Sequence, residues 1–364
     1  MWYRPANESS IATPCILLFP DRIEENIRRL IAIAGSAQRL RTHVKTHKIA
    51  EIIRLQLQQG IDRFKCATLS ELEMTARAGG RDIMLAYPLL GPSVALWFDL
   101  VEQFPESKLS VCVDSEDALS EIRSQARQRG IQADLFVDID NGMHRTGTDP
   151  EKAYGLIHAI ANSTEFRFRG LHIYDGHIHM SDPAERKTRC DHDFKVVDSL
   201  VHYLEQDGIP VDELACGGTP TFPTHAGHPE RTLCPGTPLL WDAGYGTSLP
   251  DLEFLPAAVL AGRVISKPQK HICLDLGHKA VAAEMPHPRL YFLDLVVEEV
   301  RTQSEEHLVI KCRDRDQLPV GKLVYALPTH ICPTMALHKE VYIVQDHKIT
   351  TTWKVEARDR TYPL

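Results

Sequence analysis

The chain has 364 residues, 43% of them hydrophobic and 25% charged, which is an ordinary composition for a globular protein with a core large enough for more than one structural unit. Its net charge of −8 excludes the basic face that a nucleic-acid partner requires. No apolar run approaches the roughly 20 residues that span a bilayer.

The opening stretch, MWYRPANESSIATPCILLF, has no basic region ahead of an apolar core, so no secretory signal is expected there. Nine scattered cysteines, an odd number, point to free thiols and a reducing, cytoplasmic setting. From about residue 20 to 240, short apolar strands alternate with amphipathic helices. The strand candidates are THVK (42–45), RFKCA (63–67), DIMLAY (82–87), LSVCVD (109–114), ADLFVDID (133–140), RGLHIYD (169–175) and ELACGG (213–218). Helical segments between them include RIEENIRRLIAIAG, LSELEMTARAGG and SEDALSEIRSQARQRG. Ser70 and Glu73 read as a capping box for the second, and the second and third end in glycine, as helices often do. Helical crossovers imply a parallel sheet, either closed as a (β/α)8 TIM barrel or open and doubly wound. Seven strands plus an eighth near 232–235 favour the barrel, which we assign to residues 20–248.

After about residue 250 the period changes. AAVLAGRVISK, HICLDL, RLYFLDLVVEEV, HLVIKC, KLVYAL and KEVYIVQDHKITTTWKV alternate or are rich in β-branched residues. These segments predict a β-rich domain over residues 249–364, which the N-terminal strand PCILLF, within residues 1–19, joins.

In a barrel the C-terminal strand ends form the active face. Those ends carry Lys45, Arg145 after DIDNGMH, Tyr174 with the following DGHIH, the turn Gly217-Gly218-Thr219, and Gly236-Thr237. Lys45 sits between His43 and His47, where basic neighbours depress its pKa and suit it to Schiff-base chemistry. Glycine-rich turns with free backbone N–H groups suit a phosphate. Together they describe pyridoxal 5'-phosphate (PLP), an aldehyde for the lysine and a phosphate for the turns. Each piece alone is weak: a strand-end lysine is usually solvated, and most such turns bind nothing.

A second motif, PTHICPT, spans residues 328–334. His330 and Cys332, at i and i+2, point to one side of an extended segment and could share a metal, although two ligands alone leave a site mostly open. His177 and His179 follow Tyr174 at alternate positions and could face one pocket.

The stretch RTHVKTHK closely resembles the PLP-lysine motif of the D-threonine aldolase and D-serine dehydratase family. The likeness continues, in order, through FKCATLSELE, DIDNGMHRTG, LHIYDGHIH, GGTPTFP and PTHICPTMALH. The resemblance implies an alanine racemase-like architecture, a PLP barrel followed by a β domain, working as a homodimer. It implies that Lys45 holds the cofactor aldehyde. Arg145 would bond its phenolic oxygen, the alternative being an ion pair with Asp138 or Asp140. Tyr174 would lie near the pyridine nitrogen, and Gly217, Gly218, Thr219, Gly236 and Thr237 would hold the phosphate. His330 and Cys332 would bind a divalent ion that touches the substrate hydroxyl, with His338 a weaker candidate ligand. Either His177 or His179 would be the base.

The family's aldolases offer His and Asp to the metal, which suits manganese, whereas its dehydratases offer His and Cys, which suits zinc. Cys332 therefore speaks for a dehydratase, while DGHIH and the general run of the sequence look closer to the aldolase branch. The expected activity is retro-aldol cleavage of a D-3-hydroxy amino acid, with D-serine or D-3-hydroxyaspartate dehydration as the alternative. A non-catalytic PLP carrier would lack the β domain. A racemase would need a second base, for which the sequence offers no clear match, with Tyr291 and Tyr325 left open.

Overall fold

A computed structural model describes residues 1–360 and divides the chain into two compact units. One contains residues 30–45 and 53–236; the other contains 1–29, 46–52 and 237–358. The last four residues of the expected 249–364 segment lie outside the described residues.

The first strand, β1 (Cys15–Leu18), belongs to the second unit. The first unit is built on β2 (Arg41–His43), β3 (Arg63–Cys66), β4 (Asp82–Leu85), β5 (Lys108–Val113), β6 (Ala133–Ile139), β7 (Phe166–Ile173), β8 (Glu213–Cys216) and β9 (Arg231–Leu233). They pair in that order and every pair is parallel. A parallel bridge between Leu40 and Leu233 and a 2.8 Å bond from the His43 N–H to the Pro235 carbonyl bring the last strand back to the first. The sheet is thus a nearly closed barrel, as expected. Met84, Cys112, Phe136, Ala215 and Cys234 cluster in its core.

Charged residues tie non-adjacent strands together. Arg41, fully buried, grips Glu213 of β8 with two bonds of 2.8 and 2.7 Å and reaches Asp82 of β4 at 2.9 Å. Arg169 then links Asp82 to Asp134. Removing one member would leave a buried charge uncompensated.

The helix Leu69–Arg77 starts two residues ahead of the expected capping pair. Its N-cap is Thr68, whose hydroxyl accepts the Glu71 N–H at 3.2 Å, and the Glu71 carboxylate accepts the Ala67 N–H at 2.6 Å. Burial of Leu69 and Leu72 decides between two equally competent caps. The glycine stops hold: Gly79 and Gly130 take φ of +101° and +68°, where side chains are strained.

The second unit is a nine-stranded sheet. β10 (Ala258–Ser266), β11 (Ile272–Leu274), β12 (Leu290–Phe292), β13 (Val297–Gln303), β14 (Leu308–Cys312), β15 (Leu323–Pro328), β16 (Glu340–Gln345) and β17 (Lys348–Lys354) join β1. β1 enters this sheet, antiparallel to β10 and parallel to β16. The β16–β17 hairpin turns at Asp346 and His347, both with positive φ, which matches the twist of the flanking strands. Tyr3, Leu17, Phe19, Val259 and Tyr325 share its core. All nine cysteines are free, eight of them buried. No described helix is long and apolar enough to cross a membrane.

Candidate active site

In the barrel unit, β2 stops at His43 and Lys45 lies in a one-turn 3-10 helix, Val44–Thr46, just past the strand end. Tyr174 comes immediately after β7. Two glycines make room for its ring: a Cβ on Gly176 would overlap the ring, and one on Gly218 would come within 3.0 Å. Three cations surround that ring. The Arg145 guanidinium lies 4.8 Å from its centroid, Lys65 Nζ 5.3 Å and Lys45 Nζ 5.5 Å.

Arg145 is exposed, and both carboxylates considered as its ion-pair partners are engaged elsewhere. Asp138 binds His172 Nδ1 at 2.6 Å and the Thr146 hydroxyl at 2.9 Å. Asp140 accepts the N–H groups of Gly142 and His144 and pairs with the His144 ring.

Gly217 has φ of +73°, and a Cβ there would strike His225 and Thr221. Two N–H groups of this turn are already engaged: Gly217 donates to the Ile173 carbonyl at 2.8 Å and Gly218 to Thr221 Oγ1 at 3.2 Å. Thr221 in turn donates to Asp175 at 2.7 Å, so a side chain has taken the place of an external oxygen. Gly236 N–H reaches Thr219 Oγ1 at 3.5 Å, and Thr219 is buried.

Two buried nitrogens in this region, Lys65 Nζ and His172 Nε2, have no hydrogen-bond partner among the described residues. A cationic ring of side chains with spare buried nitrogens fits a planar, anionic cofactor such as PLP.

The two candidate histidines are treated differently by the fold. The segment 174–180 carries a turn at Gly176 and His177 and is not a strand. His179 is exposed. His177 is four-fifths buried, its Nε2 is 2.9 Å from Asp193 Oδ2, and its buried Nδ1 lacks a partner among the described residues. Burial works against the Asp193 carboxylate. Bonds from Arg189, His177 and His192 outweigh it and hold its pKa below the ordinary value.

Among the described residues, one group of three potential metal ligands comes together: Asp175, Cys190 and His225, all buried. Asp175 already accepts bonds from Thr221 at 2.7 Å and His225 at 2.8 Å. Burial pushes the Cys190 thiol well up, so it stays protonated. Hydrogen bonding accounts for this cluster.

In the β unit, the expected extended PTHICP segment is bent. β15 ends at Pro328, His330 is the N-cap, and Cys332 is the second residue of the helix Ile331–Leu337. Pro333 stands in that helix's first turn, where its missing N–H removes no intrahelical bond. His330 Nδ1 meets Glu284 at 2.7 Å. Cys332 Sγ lies 3.2 Å from Thr46 Oγ1 and 3.6 Å from Thr237 Oγ1.

Burial lowers the His330 pKa, but the hydrogen bond and charge of Cys332, then Glu284, push it up to about 9. Burial raises Cys332, and the His330 bond and charge outweigh that to lower it. An imidazole beside a thiol inclined to ionise is a donor set that fits a thiophilic divalent ion. Buried Asp242, which caps the next helix at Tyr245 and accepts the Ile331 N–H at 3.0 Å, fixes the backbone here. His338 stands apart, bonded to the Ala280 carbonyl at 2.9 Å. Tyr325 donates to Glu8, and Tyr291 is exposed.

Lys65, His172, Asp193, Asp242 and Glu284 escaped the sequence reading. A lysine at an interior position of a strand, in FKCA, was a visible signal; the carboxylates arrive from distant segments and gave none.

Residues 20–239 match the family model described as "Alanine racemase, N-terminal domain", and residues 257–344 match the serine dehydratase domain model D-ser_dehydrat. The chain is 29% identical to a 3-hydroxy-D-aspartate aldolase of Paracoccus denitrificans, over 98% of this chain and 94% of that one. It is 29% identical to a D-threonine aldolase of Arthrobacter, over 96% and 93%. The crystal structure of D-threonine aldolase from Filomicrobium marinum superimposes with a TM-score of 0.86 at 26% identity, covering 98% of this chain and 97% of that one.

Proposed function

Because the chain belongs to the alanine racemase N-terminal domain family, we propose that it is a PLP-dependent lyase that cleaves D-3-hydroxy amino acids to glycine and an aldehyde. The observation that carries this reading is the ring of Lys45, Arg145 and Lys65 around Tyr174. Aldolase relatives aligned over nearly the full chain support it. We assign the cofactor to the barrel, residues 20–248, and the metal to the β domain, residues 1–19 and 249–364. The working form is a homodimer in the reducing cytoplasm, a setting that nine free thiols favour.

When bound, PLP supplies an electron sink for the pair left on Cα as the Cα–Cβ bond breaks. Lys45 supplies the amine that holds its aldehyde between turnovers. Arg145 bonds the phenolic oxygen, and Tyr174 faces the ring nitrogen. Gly217, Gly218, Thr219, Gly236 and Thr237 enclose the phosphate, with Gly218 contributing shape and its close fit to Tyr174 in place of a free N–H. His330 and Cys332 would hold the divalent ion, whose chemistry there would be that of a Lewis acid for the substrate hydroxyl. His177 donates a hydrogen bond from Nε2–H to the Asp193 carboxylate, so Nδ1 keeps a lone pair that takes the hydroxyl proton. Exposed His179 is the lesser candidate.

Two observations favour a second reading. Cys332 and the serine dehydratase-type match over residues 257–344 fit a dehydratase. There Lys45 would take the α-proton as the β-hydroxyl leaves as water, which a zinc ion held by His330 and Cys332 would assist. The released enamine would be hydrolysed by water to a keto acid and ammonia.

Incubation of PLP-loaded protein with D-threonine, with zinc and separately with manganese, followed by proton NMR, decides between the readings. Glycine and acetaldehyde support the aldolase; 2-oxobutanoate and ammonia support the dehydratase. No turnover of D-threonine, D-serine or 3-hydroxyaspartate with either ion would overturn both.

A further inference from the structure

Lys65 stands in β3, in register with His43 of β2 and Met84 of β4, and is 2% exposed. Its Nζ is buried with no hydrogen-bond partner among the described residues. A buried ammonium in that condition is costly unless a ligand supplies an acceptor.

The groups that face it leave its Nζ without a hydrogen-bond acceptor, although the ionised Asp138 carboxylate bears on it at longer range. They are Cys112 of β5, Asp138 of β6, His172 of β7, Tyr174 beyond β7 and Cys234 beyond β9. Both thiols are pushed up by burial and carry no charge. Burial first, and then Lys65 itself, hold His172 below its ordinary value, so the imidazole is neutral. Asp138 is the one carboxylate of the set, and both its oxygens are held, by His172 and Thr146. Lys65 and Arg145 meanwhile face one tyrosine ring and both bear electrostatically on His172.

We propose that Lys65 is a second cation, beside Arg145, for the phenolic oxygen of bound PLP. The inference rests on the cofactor reading above. The glycine turns serve the phosphate, which leaves the phenolic oxygen as the acidic ligand atom on the side where Arg145 acts. A hydrogen bond from a charged donor in a dry site makes Lys65 a determinant of cofactor affinity and colour.

The test uses the full chain stripped of cofactor and two probes, PLP and 3-deoxypyridoxal phosphate, which lacks the phenolic oxygen. Lys65→Met is expected to weaken PLP binding about tenfold or more. It is also expected to raise the pH at which the bound cofactor's visible absorbance titrates, because a nearby cation disfavours the protonated form. The deoxy analogue is expected to bind variant and wild type alike. Lys65→Gln gives the same comparison if the methionine variant does not refold, as judged by circular dichroism. Unchanged PLP affinity and titration, or equal losses for both probes, would overturn the assignment. Wild-type protein that binds neither probe would overturn the cofactor reading itself, before any variant is made.

Discussion

Asp193 holds His177 by its Nε2 at 2.9 Å, and the other ring nitrogen of the histidine is left buried and unused by any described residue. A base oriented by a carboxylate is a recurrent arrangement in acid–base catalysis. Removing the ring is expected to cost about 10²–10⁴ in kcat, the range for general acid–base groups. His177→Gln, assayed on D-threonine by glycine release, tests this with the cofactor absorbance as control. His179→Gln is expected to leave kcat within a few-fold of wild type.

Lys45 is the expected attachment point. Borohydride reduction of PLP-loaded protein, followed by peptide mass mapping, is expected to mark the peptide bearing Lys45. In Lys45→Ala the mark and the turnover should both disappear. A mark on another lysine in the wild type would move the assignment.

Cys332 is expected to decide the choice of metal. Chelation is expected to abolish turnover, and zinc is expected to restore it more effectively than manganese. In Cys332→Asp a hard oxygen replaces the soft sulfur, so the order should reverse. Activity titrated with each ion on chelated protein measures both. Indifference of wild type and variant to chelator would remove the metal from the scheme.

Stability should depend on Arg41 and Glu213. Substitution Glu213→Gln leaves the buried Arg41 guanidinium with Asp82 as its remaining carboxylate partner and is expected to cost about 1–3 kcal/mol in urea unfolding. Burial raises the Glu213 pKa, but the charge of Arg41 outweighs it and leaves the group below its ordinary 4.5. The folded value thus lies under the unfolded one. Its contribution is complete above about 4.5 and is lost as pH falls through the folded value. The acid limb of the stability profile should therefore be shallower in Glu213→Gln.

The barrel was legible because each strand is a short apolar run followed by a helix, and local period carries that information. Lys45, Arg145, Tyr174 and the glycine turns could be located once strand ends were drawn, since the fold gathers strand ends at one face. Two misjudgements had local causes. Thr68 and Ser70 are both good caps, and only the burial of Leu69 and Leu72 separates them. The PTHICP segment bends because Pro328 closes β15 and Pro333 fits a first helical turn, although each residue alone also suits extended chain. The buried partners were illegible for another reason. Asp193 meets His177 from 16 residues away, and Glu284 meets His330 from 46 away, and no short window holds such pairs.

The position of β1 has a consequence for how the chain is made. Residues 15–18 lie between β10 and β16, whose residues are 258–266 and 340–345, so this strand is made well before both its neighbours. The barrel strands all precede β10 and can pair during synthesis. The segment containing Cys15–Leu18, whose four residues are all buried in the finished sheet, must wait exposed until then. Non-local pairing of this kind is slow and open to aggregation. Nascent chains arrested at residue 300 should thus have a protease-resistant barrel and a protease-sensitive N-terminus.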